Sequence, residues 1–249
     1  MSDPRSTNPY TSQTSAVPGT LPAEQQVGAA PIPDARTQQA FLTQAFIWMF
    51  VGLGVTAAVA YAVQSNEKLL DFAANNLLVL IIAQFALVFA IGLGIRRISA
   101  TLALGLFFVY AASLGITIGL IVSAYTQASV VSAFLSSSAM FGAAAIYGHV
   151  TKRSLARMGS LLFMALIGLL VAMVINLFLR SDAASFVISI IGVIIFTGLT
   201  AWDVQRIQNG QLQVYTGSVE KAAVMGALTL YLDFINLFLF LLRIFGGRN

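Results

Sequence analysis

The chain has 249 residues, of which 58% are apolar and 9% charged, with no cysteine. Soluble domains carry about 25% charged residues, and the mean hydropathy of +0.87 lies far above theirs. These values exclude a separate soluble catalytic module, disulfides, thiolate nucleophiles and cysteine-based metal sites. The formal charge of +4 does not argue for nucleic acid, because the 13 Lys and Arg residues sit mainly in short links between apolar runs, where they act as topology signals.

Residues 1–38 are rich in Pro, Ser, Thr, Gln and Gly and contain no apolar run long enough to bury, so a disordered tail is expected there. The first long apolar run starts near Phe41 with no shorter one before it. A cleaved signal peptide is therefore not expected.

Seven apolar segments follow, at 40–63, 77–95, 101–124, 129–149, 159–179, 185–205 and 222–245. Each has about the 17 to 25 residues needed to cross a bilayer. Residues 39–249 are accordingly expected to form one all-α integral membrane domain, a bundle of seven transmembrane helices. The fourth segment carries Ser132, Ser136, Ser137 and Ser138. Serines bond back to their own backbone and let helices approach closely, so this segment reads as an interior span.

Loop charges set the orientation. With the N-terminus in the cytoplasm, Arg5, Arg36, Arg96, Arg97, Lys152, Arg153, Arg157, Arg206 and Lys221 fall inside, against Lys68, Arg180, Arg243 and Arg248 outside. Nine against four favours this topology. Seven crossings then put the C-terminus outside, and a re-entrant last segment would bring Arg243 and Arg248 back to the cytoplasmic side.

Two acids lie in the apolar runs, Asp203 in IIFTGLTAWDVQRI and Asp233 in ALTLYLDFINLF. An ionised carboxylate in the middle of a span costs several kcal/mol unless it faces a cavity or a partner. Asp203 lies about two residues from the end of its segment, and Asp233 about eleven residues, or roughly 16 Å, into the next one. The two meet only if the last helix is tilted or starts late, or if the preceding helix continues through Ile207. If they meet they share one proton, forming a pH sensor whose deprotonated state offers oxygen ligands to a cation such as Ca²⁺. Spacing alone equally allows Asp203 to sit in interfacial water and Asp233 to bond to a neighbouring Tyr or Asn. Arg96 and Arg97 end the second segment on the same side, where one could turn inward to a carboxylate or both could anchor at headgroups.

The remaining polar and small residues read as structural. Gly115 and Gly119 form a small-xxx-small pattern for close packing, and Gln84 and Asn176 suit hydrogen bonds between helices. His149, the sole histidine, reads as a solvated residue at a segment end, and Trp48 and Trp202 as interfacial belt residues. No HExxH, GxSxG, Walker loop or GxGxxG is present, so an enzyme is not expected. An intramembrane aspartyl protease would need Tyr-Asp and Gly-x-Gly-Asp contexts, which WDVQ and YLDF do not supply.

The ending ALTLYLDFINLFLFLLRIFG, with IIFTGLTAWDVQRI about thirty residues before it, closely resembles the signature of the Bax inhibitor family, the transmembrane Bax inhibitor motif proteins. The likeness extends less strongly through Arg96, Arg97 and FFVYAASLGITIG to cover about residues 41–247, as in a bacterial-type member. The resemblance implies that the last helix is central and that the protein is a pH-sensitive calcium leak, with Asp203 and Asp233 as the sensor pair. It implies that Arg97, or Arg96 beside it, latches one of these acids in the closed form. Bacterial relatives can carry an acid in the second helix, where this chain has Gln84. The expectation is a multi-pass protein of the inner or plasma membrane, with Ca²⁺ as the transported ion, transiently held by Asp203 and Asp233, and no cofactor. Its partners would be the lipid bilayer, Ca²⁺ and H⁺. The alternative is a non-transporting membrane protein that binds and modulates a membrane protease or other partner.

Overall fold

A computed structural model describes residues 35–246, and the described elements are all helices. In chain order they are α1 (Ala35–Gln64), α2 (Glu67–Asn75), α3 (Leu77–Gly94), α4 (Ala100–Ser123), α5 (Gln127–Val150), α6 (Ala156–Leu179), α7 (Asp182–Gln208), α8 (Gln211–Thr216) and α9 (Val219–Phe245). The tail expected over residues 1–38 lies outside the described residues, except at its end, where α1 begins. All but α2 and α8 are long and apolar enough to cross a membrane, which makes seven spans. Side-chain oxygens start several of them: Ser99, Thr126, Ser181 and Ser218 accept a backbone N–H from the first turns of α4, α5, α7 and α9.

Two elements were not foreseen. α2 is a short amphipathic helix capped by Asn66, with Ala73 buried and Phe72 exposed. α8 is a six-residue helix bracketed by Gly210 and Gly217, whose φ values of +69° and +77° suit glycine. The last span is one unbroken helix rather than a re-entrant pair, because no residue between Val219 and Phe245 interrupts its backbone ladder.

α9 is the central helix. It packs against α1, α4, α5 and α7. The α1–α4 contact is close because Gly115 and Gly119 have no side chain. A Cβ on either would lie 2.8 Å from a carbonyl oxygen of α1, that of Thr56 or Ala60. Gln84 donates to Ser113 O (3.0 Å) and Thr117 Oγ1 (2.8 Å), tying α3 to α4 as its place in an apolar run suggested.

Glycines also set the register of α7 against α9. Gly192 lies beside Phe240, and Gly226 beside Ile207, at points roughly 20 Å apart along each antiparallel helix. At one end of the bundle Tyr215 Oη donates to Gly92 O, Lys221 Nζ to Arg96 O, and Leu155 N to Gln205 Oε1. These bonds gather the links α3–α4, α5–α6 and α7–α9 together, and with them the basic residues Arg96, Arg97, Lys152, Arg153 and Lys221.

Candidate functional site

The site forms where α7 and α9 cross in the interior. α7 runs past the expected end of its segment to Gln208, and so carries Asp203 inward from the helix terminus. The register set by Gly192 and Gly226 brings Asp233 of α9 to it. Both acids are buried, 5% and 4% exposed, and their carboxyl groups lie within hydrogen-bonding reach of each other. Asp233 Oδ2 is fully enclosed and receives no donor.

Around the pair the helices are fixed by specific contacts. Gly148 of α5 presses on the backbone of Ala201, leaving no room for a Cβ. Gln205 donates through Nε2 to Arg153 O (2.9 Å) and accepts Leu155 N at Oε1 (2.8 Å), clamping the α5–α6 link to α7. Two residues before Asp233, Tyr231 is wholly buried with its hydroxyl 2.6 Å from Thr56 Oγ1. Thr56 Oγ1 also lies 2.9 Å from Ala111 O and 3.0 Å from Gly52 O. Since Thr56 has one hydroxyl proton to give to those carbonyls, Tyr231 donates to Thr56, and this node ties α9 to α1 and α4. Phe107 and Tyr110 meet the Tyr231 ring edge-on, with centroids 5.5 and 6.0 Å away.

The cation beside the pair is Arg206. Its Nη1 lies 3.5 Å from Asp203 Oδ1, the one ion pair among the described residues. This is longer than a good charge-assisted hydrogen bond. The guanidinium also stands 5.2 Å from the centroid of the Trp202 ring. Trp202 in turn lies flat against Gly159 of α6, where a Cβ would enter its ring. A series of contacts thus runs from α6 through Trp202 and Arg206 to Asp203.

Arg97, the residue expected to latch an acid, does not reach the pair. It and Arg96 are exposed in the turn after α3, and Arg206, one turn along the same helix as Asp203, occupies the position at its carboxylate. Sequence reasoning passed over Arg206 because the segment was expected to end at 205. Helical spacing of three from Asp203 was the available signal. Trp202, expected in the interfacial belt, is half-buried and packs between Gly159 of α6 and Arg206. Trp48 is half-buried and meets Phe108 edge-on at 6.0 Å.

The other polar residues lie apart from the pair. His149 is exposed and lines a polar hollow of about 290 Å³ with Lys152, Arg153 and Gln208. Asn176 donates to Ser185 Oγ and accepts Ser181 N, fastening the α6–α7 turn. Asp203 and Asp233 are a set of two carboxylates, and among the described residues no group of three or more His, Cys, Asp or Glu comes together.

Residues 38–249 match the family model described as inhibitor of apoptosis-promoting Bax1. The inner membrane protein YbhL of Escherichia coli is 44% identical over 217 residues, covering 85% of this chain and 93% of the relative. An uncharacterized protein of Deinococcus radiodurans is 45% identical over 210 residues, 84% of this chain and 91% of its own. An uncharacterized membrane protein of Streptococcus pyogenes is 42% identical over 215 residues, with 84% and 93% covered. With the family model matched over nearly the whole of its seven-span domain, the chain belongs to the Bax inhibitor family of membrane proteins.

Proposed function

We propose that the protein is a pH-sensitive leak for Ca²⁺ across the inner or plasma membrane of a bacterium, contributing to calcium homeostasis. The observation that carries this reading is the buried contact between Asp203 and Asp233, with Asp233 Oδ2 enclosed and without a donor. Two ionised carboxylates at hydrogen-bonding distance repel each other in a medium of low dielectric, and one shared proton turns that repulsion into a bond. The compact arrangement of α7 on α9 is the protonated, closed state. Loss of the proton on raising the pH separates the two helices and leaves carboxylate oxygens, completed by water, for a passing Ca²⁺. Arg206 steadies Asp203 in the closed state, while Arg96 and Arg97 mark the cytoplasmic end. The basic residues gathered at the α3–α4, α5–α6 and α7–α9 links support a cytoplasmic N-terminus.

Purified protein in liposomes is expected to pass Ca²⁺ faster as pH rises. Asp203→Asn and Asp233→Asn are each expected to abolish that pH dependence. An unaltered pH profile in both variants overturns the reading. Absence of flux together with a membrane partner captured from native membranes would favour a non-transporting interaction protein instead, for which the exposed apolar face of α6 offers a surface.

A further inference from the structure

We propose that a groove between α1 and α5 is a binding site for an acyl chain of a membrane lipid. The groove has a volume of about 310 Å³ and lies at the end of the bundle opposite the Asp203 end, where α4 turns into α5. α1 and α5 both pack on α9, and the gap between them is floored by Phe234, Ile235 and Phe238 of α9. Its rim is continuous with the lipid-facing surface: Tyr61, Val131 and Leu135, which line it, are 74%, 50% and 61% exposed.

The chemistry of the lining selects the occupant. Apart from Thr56, Tyr61 and Gln64, all lining residues are apolar. The one hydroxyl on the floor, that of Thr56, is already engaged by Tyr231 and by backbone carbonyls. Water entering the groove would find no partners, and apolar cavities stay dry. An empty groove forfeits the dispersion contacts of its lining, which an entering chain restores. A helix about 10 Å across does not fit such a volume, whereas a polymethylene chain is narrow and needs no hydrogen bonds. Tyr61 and Gln64, near the end of α1, stand where the ester and headgroup region would lie. Phe234 and Ile235 directly follow Asp233, so a seated chain touches the turn of α9 that carries the acid.

This site does not rest on the leak, and its test uses no flux. Phe238→Trp places an indole on the buried floor, and the protein is reconstituted in phosphatidylcholine vesicles brominated on the acyl chains. Its emission, taken as the difference from wild type, is expected to fall at least twofold relative to unbrominated vesicles. Adding Ala57→Phe, at an exposed position on the wall, is expected to plug the groove and remove that quenching. Native mass spectrometry of the otherwise unaltered chain is the second measurement. The wild type is expected to retain one phospholipid more than Ala57→Phe, so the result stands even if Phe238→Trp folds poorly. An unquenched floor indole in a folded variant, or equal lipid retention by wild type and Ala57→Phe, overturns the assignment.

Discussion

α6 and α9 are both membrane-spanning helices, and the more apolar of the two is the outer one. The mean hydropathy is 2.7 over an 18-residue stretch of α6 and 1.9 over one of α9, yet 6% of the stretch in α6 is buried against 72% of that in α9. In water the order would be reversed. Lipid tails are as apolar as leucine, so burial in a bilayer is decided by what a helix can contact, not by its hydrophobicity. α9 offers Gly226 for close approach, the Tyr231 hydroxyl for a bond and Asp233 for a partner. α6 offers Gly159 and Leu169, the two residues of that helix that are buried.

Three substitutions sharpen or break that contrast. Leu237→Ala removes a fully buried side chain of α9 and is expected to cost about 2 kcal/mol, the low end of the soluble-core range, because the cavity remains while the transfer gain is absent in lipid. Thermal or steric-trap unfolding in detergent measures it. Gly159→Leu tests the point where α6 meets Trp202. A side chain there displaces the Trp202 ring, with an expected loss of about 1 kcal/mol or more from overpacking and altered Trp202 fluorescence as Arg206 leaves its face. Leu177→Ala, on the lipid side of α6 at 71% exposure, is expected to change stability by less than about 0.5 kcal/mol. A large loss there would mean that the outer face of α6 is covered by something other than lipid.

Much of the fold was legible before the structure. Apolar runs of spanning length, punctuated by charges, marked each crossing to within a few residues, since nothing else keeps about twenty consecutive residues apolar. α2 was passed over because EKLLDFAAN is too short to span and too charged to stand out, although its apolar residues fall on one helical face. In the site, the two acids announced themselves by their cost in an apolar run. Whether they touch depends on the sliding register of α7 against α9, which is written in Gly192 and Gly226 and becomes readable only once the facing residues are known. The bond between Thr56 and Tyr231 joins residues 175 positions apart, and no local spacing reveals it. Arg206 differs again, since its spacing from Asp203 was visible but the helix was expected to stop one residue too soon.

α9 is fastened at both ends. At its start Ser218 caps the first turn, and Lys221 Nζ reaches the Arg96 carbonyl at 3.3 Å. At its finish Ser129 Oγ donates to Phe245 O at 3.3 Å, and the Tyr125 ring closes against Gly246. A beam clamped at both ends cannot slide along its axis and yields most at mid-span, by bowing or twisting. Asp233 sits within one residue of that midpoint, where a small sideways force moves the helix furthest.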